Sequence, residues 1–160
     1  MYVVLCAAHH SLNDDIARLS IPENQQTKWA VVNYACLSSP KADYLFSMHA
    51  DMVRRMRHAR RDTGFADWHS LKTFAPIFSG GVDIVWPYLP SKRRGTTGSS
   101  SLYAALTLLQ MGFDKILTVG LRLDGRYEAF RPAWHHVYNH NEFGFADRVV
   151  FAGQGSAPWL

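Results

Sequence analysis

The sequence predicts an α/β domain with a mostly parallel sheet and helices on both faces of that sheet. Short apolar runs rich in β-forming residues alternate along the chain with segments of helical period, as in parallel sheets joined by helical crossovers. The first run, 2–8, is apolar throughout, which is typical of a strand buried on both faces. The chain has 160 residues, of which 48% are hydrophobic and 19% charged, so we expect one domain over 1–160.

The predicted strands and helices follow one another in chain order. Strands are predicted at 2–8, 29–33, 44–48, 73–78, 83–88, 115–120 and 148–151, and helices at 12–19, 51–61, 99–111 and around 134–141. Ser11 is the predicted N-cap of the first helix, and Gly112 the C-terminal cap of the third. The C-terminal portion, 121–160, is otherwise loop-rich. This order predicts a Rossmann-like domain.

Composition and charge exclude several classes of protein. No apolar run approaches the ~20 residues that span a bilayer, and the N-terminus lacks a charged leader, so we expect a cytoplasmic protein without a membrane partner. Cys6 and Cys36 have no metal-ligand spacing and are predicted to be small core residues, and no metal site is predicted. The net charge of +4 is concentrated in arginines at 54–61 and in 92–94. No DNA or RNA motif accompanies these patches, which disfavours nucleic acid as the partner.

The most informative segment is the small-residue loop 94–101, which leads into the apolar run 102–111. A helix N-terminus offers unpaired N–H groups and the positive end of the helix dipole to an anion, and the cations at 92–94 add charge. The predicted ligand-binding residues here are Arg94, Gly95, Thr96, Thr97, Gly98, Ser99 and Ser100. An ordinary N-cap ahead of a buried helix explains the same residues, and there is no Walker Gly-Lys-Ser/Thr triplet.

Polar side chains also follow most of the other predicted strands. Parallel sheets bind ligands at the carboxyl ends of their strands, so Ser11, Asn33 and Asp124 are predicted to bind the ligand. His9 and His10 follow the first strand, where an imidazole can exchange protons near neutral pH. Turn formation by asparagine, helix capping by serine, and exposed histidines without a role explain the same residues.

Four segments carry a family resemblance: CAAHHSL at 6–12, AVVN at 30–33, DYLFS at 43–47, and the distinctive stretch 98–120, in which GSSSLYAAL leads to GFDKILTVG. With them the chain resembles the Rossmann-like transferases related to bacterial sialyltransferases and to hydroxymethylpterin diphosphokinase-like proteins. The resemblance implies a nucleotide-containing ligand, which is a sugar nucleotide in one branch and ATP in the other. It also implies that Asn33 contacts a ribose or base, and that a late histidine, His140 here, activates the acceptor hydroxyl.

The chain departs from the family pattern at two places. The glycines of the first loop are replaced by residues 7–10, and Leu121 and Arg122 stand where a carboxylate usually follows the glycine of the late strand. The second departure disfavours magnesium-dependent phosphotransfer, because carboxylates are the usual ligands of that metal.

The predicted function is that of a transferase with a nucleotide-type donor, glycosyl transfer from a sugar nucleotide being preferred to pyrophosphoryl transfer. His10 and His140 are the predicted catalytic residues. A non-catalytic nucleotide- or anion-binding accessory protein of phage or prophage origin is the alternative, and nucleic-acid binding ranks last. The sequence leaves open the donor, the acceptor, any cofactor, metal dependence and the oligomeric state, with a homo-oligomer among the alternatives.

Overall fold

The computed structural model describes residues 1–21, 23–87 and 99–153, except for the side chain of Arg126. Part of the predicted anion-binding loop, Arg94, Gly95, Thr96, Thr97 and Gly98, lies outside the described residues. The proposed role of that loop therefore stays a prediction for these five positions.

Strands and helices alternate along the described chain, as the sequence predicts. The strands are β1 (Tyr2–Cys6), β2 (Thr27–Val32), β3 (Tyr44–Phe46), β4 (Lys72–Ala75), β5 (Ile84–Val85), β6 (Lys115–Val119) and β7 (Val149–Phe151). The α-helices are α1 (Leu12–Ala17), α2 (Val53–Asp62), α3 (Ser100–Gln110), α4 (Arg131–Asn139) and α5 (Phe145–Arg148). Short 3-10 helices lie at Asn33–Leu37, Ala50–Met52, Ala66–His69, Gly125–Phe130 and Glu142–Gly144. None of the described helices is both long and apolar enough to cross a membrane.

The strands form one seven-stranded sheet in the order β5-β4-β3-β2-β1-β6-β7. Every strand pairing in the described part of the chain is parallel. The predicted Rossmann-like α/β fold is therefore confirmed, with a sheet that is parallel throughout rather than mostly so.

Hydrophobic cores lie on both faces of the sheet. Alternate residues of β1 point to opposite faces: Val3 and Leu5 pack with α3, α4 and α5, whereas Val4 and Cys6 pack with α1 and α2. Helix α3 is buried over most of its length, which explains its nearly continuous apolar sequence. The helices on both faces were predicted, and the two cores confirm them.

Several element boundaries differ from the predicted ones for local reasons. Strand β4 ends at Ala75, because Pro76 has no N–H to continue the ladder, and Phe78 is 80% exposed in the loop beyond it. The second strand ends at Val32, because Asn33 takes a left-handed backbone with φ of 50°. Helix α4 begins at Arg131, earlier than predicted, since a proline is favourable in the first turn of a helix.

Candidate functional site

A cavity of about 240 Å³ opens at the carboxyl ends of β1, β2 and β6. Its described walls come from the loops after these strands, the first residues of α3 and the 3-10 helix Gly125–Phe130. Strands β2 to β5 extend to one side of β1, whereas β6 and β7 lie on the other side. Ligands of open parallel sheets bind where the strand order reverses in this way. The cavity therefore occupies the position that this fold favours for a ligand.

The loops that follow β1 and β6 are held together beneath the cavity. Gly120, just after β6, has a φ of +61°, and an added Cβ would lie 2.3 Å from the carbonyl oxygen of Ala7. Its N–H donates to Oδ2 of Asp15 at 2.9 Å, and Asp15 is only 2% exposed. Glycine is required here because only glycine permits this backbone conformation and this close approach together.

His9 follows β1 and lines the cavity. The backbone N–H of Ser11 donates to Nδ1 at 3.1 Å, and the Ser11 hydroxyl oxygen lies 2.9 Å from the same nitrogen. Nε2 lies 4.0 Å from Oδ1 of Asp124. Burial of the ring and the nearby charges of His10 and Arg122 lower the pKa of His9, although Asp124 acts in the opposite direction. His9 is therefore neutral near neutral pH.

Asn33 places an unpaired polar atom at the cavity. Its side-chain oxygen Oδ1 is buried, and no described group hydrogen-bonds to it. The residue lines the cavity, and its backbone is held in the left-handed region. An unsatisfied buried acceptor and an unfavourable backbone conformation each lower stability, and both features are more frequent at functional sites. Among the described residues, Asn33 therefore gives the clearest indication of a ligand-binding position.

The start of α3 forms another wall, and its serine hydroxyls are bound within the protein. The hydroxyl of Ser99 accepts a hydrogen bond from the N–H of Leu102 at 3.2 Å, so the N-cap interpretation is confirmed. Trp134 Nε1 donates to the same oxygen at 3.4 Å. The hydroxyl of Ser100 accepts from the N–H of Met48 at 3.0 Å, which fastens the loop after β3 to α3. Ser99 and Ser100 thus line the cavity while also fixing its shape.

A guanidinium and two aromatic rings complete the described lining. Arg122, two residues after Gly120, lies at the cavity beside the imidazole of His9. Tyr127 and Phe130 belong to the 3-10 helix that follows, and their rings stack with centroids 6.3 Å apart and an angle of 29° between the planes. Cationic and aromatic groups therefore lie in one crevice, a combination that suits a ligand with both an anionic and a planar part.

His49 is a second histidine of the lining, at the carboxyl end of β3. It is exposed, and within the described residues nothing hydrogen-bonds to its ring. Its imidazole can therefore take up a proton from a bound molecule without first breaking a contact.

The structure brings some of the predicted site residues together and places others elsewhere. Asn33, Ser99 and Ser100 line the cavity, whereas Ser11 and Asp124 are not among its described lining residues. Ser11 hydrogen-bonds to His9, and Oδ1 of Asp124 lies 4.0 Å from the Nε2 atom of His9. The hydroxyl of Ser11 does not cap α1, although the residue occupies the N-cap position.

The two histidines predicted to be catalytic are not among the described lining residues. His10 is exposed, and its ring lies tilted against that of His9, with centroids 3.7 Å apart and an angle of 41° between the planes. His140 lies at the exposed C-terminal end of α4, where its Nδ1 is 2.8 Å from the carbonyl oxygen of His136. His9, not His10, lines the cavity, because the chain turns between them.

Arg122, Tyr127 and Phe130 also line the cavity, although none of them was among the residues predicted to bind the ligand. Arg122 follows a predicted strand by two residues, and this position could have revealed it. The two aromatic residues lie in a segment that lacks a regular pattern, so no sequence signal pointed to them.

Neither cysteine provides a nucleophile. Cys6 and Cys36 are both buried, as the sequence predicts. Burial raises the pKa of the Cys6 thiol to about 12 and that of Cys36 to about 11. Both therefore stay protonated at neutral pH, and thiolate chemistry is absent from these positions.

The arginine-rich helix α2 uses much of its charge within the protein. Arg60 is fully buried, and its guanidinium binds Asp67 through Nε and Nη2 at 2.7 Å each. Arg57 contacts Asp83 at 3.4 Å and donates to two backbone carbonyls. Only part of the charge of this segment is therefore available to an outside partner.

No group of three or more histidine, cysteine, aspartate or glutamate side chains is placed to hold a metal ion within residues 1–21, 23–87 and 99–153. The fold and the cavity define a Rossmann-like parallel α/β domain with a crevice where the strand order reverses. Comparisons with known protein families, curated proteins and solved structures found no match. The resemblance to a particular transferase family stays a prediction from the sequence.

Proposed function

We propose that this chain binds a nucleotide in the cavity and acts as a transferase on a nucleotide-type donor. The observation that carries the proposal is the buried, unpaired Oδ1 of Asn33 in the crevice that the fold favours for ligands. A ribose hydroxyl or a base amino group would donate to this oxygen and relieve its cost, which is about 1–3 kcal/mol for a buried unpaired acceptor.

The other described groups of the lining suit the remaining parts of a nucleotide. The N-terminus of α3 and the guanidinium of Arg122 favour negative charge, as a phosphate requires. Tyr127 and Phe130 offer flat apolar surface to a base or a sugar. The cavity volume of about 240 Å³ is close to the lower end of the range for small-molecule sites, ~300 Å³, and so favours a compact ligand.

Glycosyl transfer fits the described lining better than pyrophosphoryl transfer. The described lining contains no aspartate or glutamate. Asp124 lies outside that lining, with Oδ1 at 4.0 Å from the Nε2 atom of His9. Pyrophosphoryl transfer commonly places magnesium on carboxylates, whereas a sugar nucleotide can be stabilised by an arginine and a helix N-terminus. We assign to His49 the removal of the acceptor proton, since its exposed ring lies at the cavity.

A non-catalytic nucleotide-binding protein is the second candidate. The observation that favours it is the position of His10 and His140, since neither of the two histidines predicted to be catalytic is among the described lining residues. The two candidates share the ligand and differ only in turnover.

Binding is tested by thermal shift and titration calorimetry with CMP, CTP, ATP and sugar nucleotides. We expect stabilisation by at least one of them, and an affinity at least about tenfold weaker in Asn33→Gly. Asn141→Gly is the matched control, because Asn141 also has a left-handed backbone, with φ of 45°, but lies outside the described lining. Its affinity should equal that of the wild type. Failure of every nucleotide to bind would overturn the proposal.

Turnover is tested with the sugar nucleotide that binds, by following release of its nucleotide with and without acceptors. A transferase should lose its rate in His49→Ala while retaining most of its affinity. Binding without any release would favour the non-catalytic candidate.

A further inference from the structure

We propose that His9 binds the ligand as a neutral hydrogen-bond donor, through Nε2–H, and does not serve as a base. The group that it meets is an acceptor oxygen, which in the nucleotide proposed above is a phosphate oxygen. The identity of that oxygen rests on the proposed function, whereas the protonation pattern of the ring follows from the structure alone.

The position of the ring proton is decided by the backbone of Ser11. The N–H of Ser11 donates to Nδ1 of His9 at 3.1 Å. A backbone N–H cannot rotate away, so Nδ1 must offer its lone pair in this direction. A neutral imidazole with a lone pair at Nδ1 carries its proton on Nε2.

The Ser11 hydroxyl is compatible with this arrangement. Its oxygen lies 2.9 Å from Nδ1 of His9 and 3.1 Å from Oδ2 of Asp15, and the hydroxyl proton can turn to either acceptor. The opposite tautomer would donate from Nδ1 to the hydroxyl and would make Nε2 a base. It would also direct the Nδ1 proton and the Ser11 backbone proton at each other, which is unfavourable.

The surroundings of the ring keep it neutral and leave Nε2–H available. The ring of His10 contacts it, Arg122 lies nearby, and both oppose a positive charge on His9, while Asp15 and Asp124 act in the opposite direction. The separation of 4.0 Å between Nε2 and Asp124 is too long for a hydrogen bond, and Asp124 is 55% exposed to water. Within the described residues nothing accepts a hydrogen bond from Nε2. Since His9 lines the cavity, a ligand oxygen can take that position.

The cavity therefore presents a donor at His9 and an acceptor at Asn33. Nε2–H of His9 selects an oxygen that accepts, and Oδ1 of Asn33 selects a group that donates. A neutral histidine that donates at an oxygen can stabilise negative charge there without transferring its own proton.

The tautomer is measured directly in the ligand-free protein. Long-range proton–nitrogen correlation spectra at about pH 8, above the ordinary pKa of histidine, distinguish the two ring nitrogens. We expect His9 to carry its proton on Nε2, and to keep it there in Ser11→Ala, which removes the hydroxyl but not the backbone N–H. A proton on Nδ1 in the wild type would overturn the proposal. A tautomer that changes in Ser11→Ala would overturn the role of the backbone.

The ligand contact is measured by the affinities for CMP and cytidine, and for ATP and adenosine, in His9→Gln and His9→Ala. Glutamine retains an amide N–H near the position of Nε2, so the nucleotide affinity of His9→Gln should stay within about threefold of the wild-type affinity. The nucleotide affinity of His9→Ala should fall about tenfold or more. The loss should affect CMP or ATP and spare the nucleoside. An alanine variant that is folded and binds as the wild type does would overturn the contact.

Failure of this inference is distinguishable from failure of the proposed function. If the wild type binds none of these nucleotides, the proposed function and the phosphate contact are both overturned, and the spectra still decide the tautomer. If nucleotides bind and His9→Ala has no effect, only the present inference fails.

Discussion

The N–H of Gly120 donates to Oδ2 of Asp15 at 2.9 Å, and this bond joins the loop after β6 to helix α1 at the carboxyl ends of the strands. The two residues are 105 positions apart in the sequence. Because the loops after β1 and β6 both line the cavity, this bond helps to hold these two parts of the lining together. The geometry of the candidate site therefore depends on a carboxylate that does not itself line the cavity.

We expect Asp15→Ala to lower the free energy of unfolding by about 1–3 kcal/mol, because it leaves the buried N–H of Gly120 without an acceptor. Asp14→Ala is the control, since Asp14 is an exposed acid in the same turn of α1, and it should cost no more than about 1 kcal/mol. Urea unfolding measures both changes. Equal effects of the two substitutions would contradict the assigned role of Asp15.

Gly120→Ala should lower the free energy of unfolding by about 3 kcal/mol or more, which is a large effect for a single substitution. Its Cβ would lie 2.3 Å from the carbonyl oxygen of Ala7, and the backbone has a φ of +61°. Gly112→Ala separates the two causes, because Gly112 also has a positive φ, +89°, but nothing lies within 4 Å of its added Cβ. We expect it to cost only about 1–2 kcal/mol in thermal unfolding. A Gly120→Ala variant as stable as Gly112→Ala would show that the close approach is unimportant.

Asn33→Gly should leave the stability of the ligand-free protein within about 1 kcal/mol of the wild type. The substitution removes an unpaired buried oxygen and the strain at a φ of 50°, and these gains offset the greater entropy of glycine in the unfolded chain. Asn141→Gly should cost more, about 1–2 kcal/mol, since Asn141 hydrogen-bonds to Asp147 and to the N–H of Ala146 at 2.8 Å each. Denaturant unfolding of the two variants side by side is the measurement, and a larger loss in Asn33→Gly would contradict this assignment.

Arg60→Ala should lower the free energy of unfolding by about 3 kcal/mol or more. The buried guanidinium binds Asp67, lies over the ring of Phe65 with Cζ 4.0 Å from the ring centroid, and donates to the carbonyl oxygen of Ser39 at 3.0 Å. Arg55→Ala removes an exposed arginine of the same helix and should change stability by less than about 0.5 kcal/mol. Chemical unfolding that gave similar losses for both variants would contradict the division of α2 into structural and exposed arginines.

The lowered pKa of His9 makes part of the stability depend on pH. Its pKa is lower in the folded than in the unfolded chain, so the unfolded chain binds more protons as the pH falls below about 6.5. Stability should therefore decrease from that pH down to the lowered pKa and then level off, and His9→Gln should remove this part of the dependence. His69→Gln is the control, because His69 is exposed and is not among the described lining residues. Thermal unfolding across this pH range would contradict the assignment if His9→Gln left the profile unchanged.

The α/β class, the parallel sheet and most strand positions could be predicted from the sequence, because they depend on local patterns. Strand β1 is buried on both faces and is therefore apolar throughout, β6 is mostly apolar for the same reason, and α3 is indicated by a long apolar run after an N-cap serine. Several strand ends were also predictable, and Asn33, which was predicted to follow one of them, lines the cavity.

Only the tertiary structure decided which neighbouring residues face the crevice. His9 and His10 are adjacent and chemically identical. Because the chain turns after β1, His9 lines the cavity whereas His10 is exposed to solvent. Asp15 looks like an ordinary acid in a helical first turn, yet its partner is Gly120, which β6 brings beside it. Local patterns record the preferences of nearby residues, whereas pairings between residues about 100 positions apart arise from the order of the strands in the sheet.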